Sequence, residues 1–217
     1  MKKSLLAAIA LLGALSACGG GRGAPAAPPL PEPLASRPLA DMAARPMMVL
    51  PTQYLRPDTI GWSQSIGDDR QFLRTVDDEI AFSLGERVGR QWSFARDVER
   101  MARRNATYAP DPYRLGAEVL RPGMRRRADQ LAEPLASQLR TLTAMHEARY
   151  VLLPVEVRFE RAAEGMGRAV LHIALIDTRL NRVAWTSDVR GDATASLTPA
   201  AAASVAVRLA DLVANAP

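Results

Sequence analysis

The sequence predicts an α+β domain in which a mixed sheet packs against several helices. A short apolar run at 47–50 is typical of a strand buried on both faces. Apolar residues recur every three or four positions between 73 and 88, which predicts an amphipathic helix. Between 151 and 189, three runs of alternating residues are separated by turns. The predicted sheet therefore has one N-terminal strand and a three-stranded antiparallel meander.

The N-terminus has the pattern of a secretory signal. Lys2 and Lys3 precede an apolar run at 5–15, and a positive segment followed by a short apolar segment directs export. The run is too short to cross a bilayer as a permanent helix. The residues that end it and follow it are Leu15, Ser16, Ala17 and Cys18.

These four residues resemble the lipobox of bacterial lipoproteins. The resemblance implies that residues 1–17 are a signal peptide and that lipid on Cys18 tethers the chain to a membrane. The alternative is an ordinary signal cleaved after Ala17, with Cys18 left as a free thiol. Leu15, three residues before Cys18, favours the lipobox, and so does a lone cysteine in an exported chain.

The same resemblance bears on where the chain is held. Several acyl chains anchor a protein stably, so we expect a persistent tether. Gly19 follows Cys18, at the position where lipoproteins retained in the inner membrane carry an acidic residue. The resemblance therefore implies the periplasmic face of the outer membrane.

Charge and cysteine content narrow the function classes. The 217-residue precursor has a formal net charge of +5, and loss of Lys2 and Lys3 leaves 26 arginines against 23 acidic residues. This small excess, in an envelope location, argues against a nucleic-acid partner. Because Cys18 is the single cysteine, no intramolecular disulfide is expected, and apolar burial has to stabilise the domain.

Residues 18–46 are predicted to be a linker between the lipid and a single domain over 47–217. Seven of the chain's sixteen prolines lie between 19 and 46. Proline-rich chain favours the extended polyproline II conformation at roughly 3 Å per residue, so the linker would reach up to about 80 Å from the membrane.

The first strand, 47–50, is expected at the centre of the sheet. The segment 52–66 is interpreted as a loop, with Trp62 packed against the core rather than serving as a ligand platform. Asp68 or Asp69 is expected to cap the following helix, and Gly89 to end it. The apolar face of this helix contains Leu73, Val76, Ile80, Leu84 and Val88.

That predicted helix contains three consecutive acidic residues, Asp77, Asp78 and Glu79. Paired-carboxylate chemistry is one reading, but adjacent residues on a helix point in different directions. We therefore interpret the trio as a solvated face.

The next segment is rich in arginine. A second helix is predicted at 93–104, and a third short helix at Asp111 and Pro112, where an acidic N-cap precedes a proline. The sequence RPGMRRR at 121–127 predicts a turn. The candidate partner-binding residues are Arg100, Arg103, Arg104, Arg125, Arg126 and Arg127, although exposed arginines also commonly only solvate a loop.

A long helix is predicted at about 129–148. Its apolar stripe contains Leu131, Leu135, Leu139, Leu142 and Met145. Pro134 is expected in its first turn or at a kink. A protonated His146 near its C-terminal end would meet the helix dipole favourably. After the meander, Thr198 and Pro199 predict the start of a final helix.

The domain resembles a group of periplasmic lipoprotein folds. The residues that carry the likeness are 47–50, 149–153, and Leu175-Ile176-Asp177-Thr178 followed by a turn and Val183-Ala184-Trp185. The group contains the TolB amino-terminal domain, the lipoprotein activators of penicillin-binding proteins and the curli-secretion lipoprotein. The chain departs from it in an additional helical stretch at 92–126, and it lacks the insert pairs that would build transmembrane hairpins.

No catalytic, metal or cofactor site is predicted. His146 and His172 are the two histidines, and no second cysteine joins them in a zinc-site spacing. His172, on a predicted strand, is expected to be a hydrogen-bonded core or interface residue. An enzyme would become a stronger reading if a pocket converged on Asp177, His172 and an arginine.

The sequence therefore predicts a membrane-tethered, non-catalytic module that binds or regulates an envelope protein complex, in cell-wall synthesis or envelope assembly. The alternative is an accessory subunit of an envelope transport or secretion complex, which functions as a homo-oligomer or as part of a multi-protein assembly. That alternative needs an exposed apolar patch, for which Trp62, Trp92 and Trp185 are the candidates.

Overall fold

A computed structural model of the protein describes residues 39–88, 90–124 and 129–214. The α+β class is confirmed. The strands are β1 (Met47–Val49), β2 (Tyr54–Leu55), β3 (Trp92–Ser93), β4 (Tyr150–Arg161), β5 (Gly167–Asp177) and β6 (Arg182–Arg190). The α-helices are α1 (Asp69–Gly85), α2 (Ala95–Arg104), α3 (Leu135–His146) and α4 (Pro199–Ala214).

These strands form one mixed sheet in the order β3-β1-β4-β5-β6, with β2 also paired to β4. β1 runs parallel to both of its neighbours, as the prediction of a central first strand requires. β4, β5 and β6 form the predicted antiparallel meander. The strands β2 and β3 were not predicted, because two residues are too few to show an alternating pattern.

The sheet is covered by helices on both faces. On one face, α1 and α4 pack together against Leu152, Leu171 and Ile173. On the other face, α2 and α3 pack with Val151, Leu153 and Ala174. Because neighbouring residues of β4 enter opposite cores, the beginning of this strand is apolar on both sides.

The predicted start signals are found at α1 and α4, but the start signal at Asp111 and Pro112 does not begin a helix. Asp68 caps α1 by accepting a hydrogen bond from the backbone N–H of Gln71 at 3.1 Å, and α4 begins at Pro199. The helix predicted at 111–112 is wrong. Asp111 instead accepts from the N–H of Tyr113 at 3.0 Å and closes a turn.

The long helix predicted from 129 is shorter than expected, since α3 begins at Leu135, after Pro134. The preceding residues are extended against β6, where Gln130 pairs with Arg182. His146 lies in the last turn of α3, as expected, but its surroundings disfavour the protonated form. Burial lowers the pKa of its imidazole, because desolvation disfavours the charged form.

The helices of the described residues are all too short or too polar to span a membrane. Leu39, which precedes β1, is buried in the core shared by α1 and α4. The domain boundaries at residues 17 and 46 stay predictions.

Candidate binding cleft

A cleft lies between α1, α2 and the segment 105–114, beside a break in the sheet. β1 ends at Val49 and β2 begins at Tyr54, opposite an irregularity of β4 between Pro154 and Glu156. The backbone N–H groups of Leu50 and Gln53 still bond to carbonyl groups of β4, at 3.0 and 3.1 Å. The N–H of Thr52 lies between them and turns away from the sheet.

Asp77 of α1 binds this displaced backbone. Its Oδ1 accepts hydrogen bonds from the backbone N–H of Thr52 at 2.8 Å and from the Thr52 hydroxyl at 2.7 Å. Its Oδ2 is buried and has no hydrogen-bond partner among the described residues. A buried polar atom without a partner costs free energy, and this cost is removed when a water molecule or a ligand supplies a hydrogen bond.

Burial also changes the acidity of Asp77. The side chain is 5% exposed, and this burial raises its pKa to about 7, although both hydrogen bonds from Thr52 favour the ionised form. The prediction of a solvated face is therefore wrong for Asp77, which turns inward. It holds for Asp78, whose side chain is 43% exposed and pairs with Arg96 at 2.5 Å.

Two cavities make up the cleft, with volumes of about 570 and 470 Å³. They share Arg74, Glu99, Arg103 and Tyr113, so they form one continuous depression. The larger cavity has an apolar floor that includes Leu73, Ala102, Ala109, Pro110 and Pro112. The smaller cavity is polar and reaches Asp77, Asp78, Arg96 and Arg100.

Arginine dominates the rim. The two cavities are lined by six arginines and four carboxylic side chains, and the raised pKa of Asp77 removes part of the negative charge. Glu99 has to serve both Arg103, at 2.6 Å, and Arg74, at 3.4 Å. The cleft therefore has a net positive charge and favours anionic groups.

Tyr113 closes one wall between the cavities. The guanidinium of Arg74 lies 5.1 Å from the centre of its ring, a cation–π distance. Burial, followed by the nearby charges of Asp77 and Glu99, raises the pKa of its phenol to about 12. Tyr113 is therefore a neutral hydroxyl at physiological pH.

The structure places only part of the predicted site in this cleft. Arg103 lines both cavities, Arg100 lines the smaller one, and Arg104 is exposed without lining either. Arg125, Arg126, Arg127 and the lipidation site Cys18 lie outside the described residues.

Sequence reasoning missed Asp77, Arg74 and Glu99. A signal for Asp77 was present: it lies four residues after Leu73 and three before Ile80, which are both buried in the core. An acidic residue at that spacing falls at the edge of the apolar stripe, so partial burial could have been inferred from its position.

The residues that would favour an enzyme do not converge. Asp177 pairs with Arg149 at 2.6 Å. The Nδ1 of His172 donates a hydrogen bond to the ionised Asp188 at 2.7 Å, as expected for a hydrogen-bonded histidine. On β5 Asp177 and His172 are separated by about 16 Å at 3.3 Å per residue, and neither lines the cleft. Among the described residues, no group of three potential metal ligands lies close together.

The tryptophans are packed rather than exposed. Trp92 is buried, and Trp62 and Trp185 are partly buried against the core of α1 and α4. Trp62 meets Phe159 edge-to-face at 5.6 Å, which confirms packing over a ligand platform. None of the three supplies an exposed apolar patch.

Comparisons with known proteins add little to this geometry. No protein-family model and no curated protein matches the sequence. Among solved structures, a point variant of the PelC dodecamer from Paraburkholderia phytofirmans is 15% identical, with a TM-score of 0.40 over 79% of this chain and 91% of that one. A second PelC dodecamer from the same organism is 13% identical, with a TM-score of 0.40 over 79% of this chain and 89% of that one. These similarities are too low to decide fold or function, and the resemblance to the TolB and penicillin-binding-protein-activator group stays an expectation.

Proposed function

We propose that the chain is a lipid-anchored, non-catalytic envelope module that binds a protein partner through the arginine-rimmed cleft. The observation that carries the proposal is the Oδ2 atom of Asp77, which is buried without a partner at the base of a positively charged cleft. An unsatisfied buried acceptor beside open volume is satisfied when a ligand supplies a donor.

The predicted tether supports this role. Lipid on Cys18 would hold the chain at the periplasmic face of the outer membrane, and residues 18–46 would let the domain search within about 80 Å of it. Confinement raises the effective concentration of a partner in the same envelope. A cleft of modest affinity is then sufficient for stable association.

The surroundings of Asp77 favour binding over catalysis. A carboxyl group with a pKa near 7 resembles a general base. However, the hydroxyl that it contacts belongs to Thr52, which is 1% exposed. A hydroxyl that substrate cannot reach is not a nucleophile, so the pair links α1 to the sheet break.

Photocrosslinking in the native envelope tests the proposal. The crosslinking amino acid p-benzoylphenylalanine replaces Arg103 in the cleft or, as a control, Arg208, an exposed residue of α4. We expect a heterologous envelope protein attached at position 103 and not at position 208. Equal attachment at both positions, or none at 103, would overturn the proposal.

The second candidate function is an oligomeric subunit of an envelope transport or secretion complex. The observation that favours it is a set of exposed apolar side chains on α1 and α4, Phe82 at 67%, Val207 at 43% and Leu212 at 38%. Exposed apolar side chains are common in subunit interfaces. A crosslinker at Phe82 that captures only a second copy of the chain would support this candidate over the first.

A further inference from the structure

We infer that the cleft binds an extended acidic peptide segment that carries an aliphatic side chain. The inference rests on the proposed function, because it names the chemistry of the partner at the same site. Four properties of the cleft support it: length, floor, charge and hydrogen bonding.

The length of the cleft fits several extended residues. Along α1 the lining side chains run from Arg70 to Asp78, and along α2 from Arg96 to Arg103. At 1.5 Å per helical residue, these stretches measure about 12 and about 10 Å. An extended peptide rises about 3.3 Å per residue, so the groove accommodates three to four residues.

The floor of the larger cavity fits an aliphatic side chain. It consists of alkyl groups from Leu73, Ala102, Ala109 and Pro110. Small side chains leave the cavity open, and burying an aliphatic group there removes apolar surface from water on both sides. The smaller cavity is lined by charged side chains and Tyr113 and by no aliphatic side chain, so the aliphatic residue belongs at the end of the groove near Pro110.

The rim fits acidic side chains. Arg70 and Arg114 line the larger cavity, and the structure gives neither of them a carboxylate partner within salt-bridge distance among the described residues. Arg74 and Arg103 share the single carboxylate of Glu99. A peptide carboxylate would complete these pairs with charge-assisted hydrogen bonds.

Asp77 fits the backbone of the peptide. Its Oδ2 accepts from a peptide N–H when ionised and donates to a peptide carbonyl when protonated. Since both forms are populated near neutral pH, the group matches either register of an extended chain. Gln53 shows that this part of the sheet already binds backbone, since its amide donates to the carbonyls of Pro51 and Pro112 at 2.7 and 2.9 Å.

An anionic saccharide is the other ligand with this charge, and the walls favour it less. Sugar rings commonly pack on an open aromatic face. The one aromatic ring among the described lining residues is Tyr113, and Arg74 already covers it. We therefore assign the cleft to a peptide and use a saccharide as a competing probe.

Peptide display on the intact lipoprotein in detergent micelles tests the assignment. A random peptide library is selected on the protein, and the selected peptides are measured by fluorescence polarisation, with oligogalacturonate as the saccharide probe. We expect a consensus with one aliphatic and at least two acidic residues, and binding that weakens as salt rises.

Charge reversal supplies matched variants. Arg103→Glu alters the cleft, whereas Arg104→Glu makes the same change at the neighbouring exposed residue outside it. We expect at least about tenfold weaker peptide binding for Arg103→Glu and less than about twofold for Arg104→Glu. Both residues are exposed on α2, and circular dichroism confirms that each variant is folded.

Several results would overturn the inference. They are a library without an acidic consensus, equal losses in the two variants, or binding of oligogalacturonate without peptide binding. The proposed function fails separately. If a heterologous protein crosslinks at position 103 but the library gives no acidic consensus, the proposed function stands and the peptide inference fails. If acidic peptides bind but no heterologous protein crosslinks at position 103, the peptide inference stands and the proposed function fails.

Discussion

Asp77 in the cleft and Asp188 on the meander both carry carboxyl groups near arginine, but the fold shifts their pKa values in opposite directions. Burial acts to raise the pKa of Asp188, but hydrogen bonds from Arg158 and His172 outweigh it and lower that pKa to about 2. Burial raises the pKa of Asp77 to about 7, because the arginines of the cleft bind Asp78 and Glu99 instead.

The difference follows from how the two regions are built. In the meander, β4, β5 and β6 hold opposite charges at fixed cross-strand positions, with His172 directly opposite Asp188. In the cleft, two helices meet beside a break in the sheet and leave a gap between charged side chains. Asp188 is therefore satisfied within the free protein, whereas Asp77 keeps one carboxyl oxygen without a hydrogen-bond partner among the described residues.

The largest effect is expected for Glu156→Gln, which removes a buried carboxylate that forms ion pairs with two arginines. Glu156 is 0% exposed; Arg121 donates to its Oε2 at 2.6 Å, and Arg56 lies 2.7 Å from its Oε1 as an ion pair without hydrogen-bond alignment. Loss of the charge leaves both partly exposed arginines unpaired, so we expect about 2–4 kcal/mol lower stability in urea denaturation.

Glu160→Gln is the matched control for this change. Glu160 lies on the same strand, and its carboxylate pairs with Arg190 at 3.2 Å near the surface. Surface pairs contribute about 0–1 kcal/mol. Equal losses for Glu156→Gln and Glu160→Gln would show that burial does not distinguish them.

Asp77→Asn is expected to raise stability, by up to a few kcal/mol, whereas Glu156→Gln lowers it. The pKa of Asp77 is raised from its ordinary value near 4 to about 7 in the folded state, so the stability of the wild type falls as pH rises from about 4 to about 7 and then stays at its lower level. Asparagine cannot ionise and keeps an acceptor for Thr52. The gain in thermal stability of the variant over the wild type should therefore be clearly larger at pH 8 than at pH 5, as measured by calorimetry.

Asp78→Asn is the control for that experiment, since Asp78 is the exposed neighbour of Asp77 on α1. Its stability difference from the wild type should change much less between pH 5 and pH 8 than that of Asp77→Asn, because the charge of Asp78 is a smaller cause of the raised pKa of Asp77 than burial is. A pH-independent difference for Asp77→Asn would contradict the raised pKa.

The smallest effect, about 1 kcal/mol, is expected for Asp188→Asn. The folded-state pKa of Asp188 is lowered, so its contribution to stability is present above pH 4 and is lost as pH falls toward 2. The variant should be less stable than the wild type at pH 7, and the difference should shrink at pH 2.5 in urea titrations. A difference that stays constant over this range would contradict the ion-pair explanation.

The sequence predicted the elements whose pattern is long enough to read. α1, α4 and the strands of the meander each carry their periodicity over nine or more residues. Two-residue strands carry none, so β2 and β3 were missed. The start of α3 was misplaced because an apolar residue at 131 fits both a helical stripe and the extended segment that pairs with β6.

The residues of the cleft likewise divide into those that the sequence predicted and those that it could not. Exposed arginines on α2 are visible in the sequence, and Arg100 and Arg103 were therefore identified. The role of Asp77 depends on Thr52, which is 25 residues earlier in the chain, and on α2, whose side chains line the same cavity.

The sequence by itself determined the α+β class and the apolar faces of its longest elements, because periodicity is a local property of the chain. It also carried the predicted export signal and the lipidation motif at Cys18, since such signals are read as short linear segments. The tertiary structure alone decided which carboxyl group is satisfied and which is left open. Burial and pairing arise only when distant segments meet, and they set the charge of a group such as Asp77.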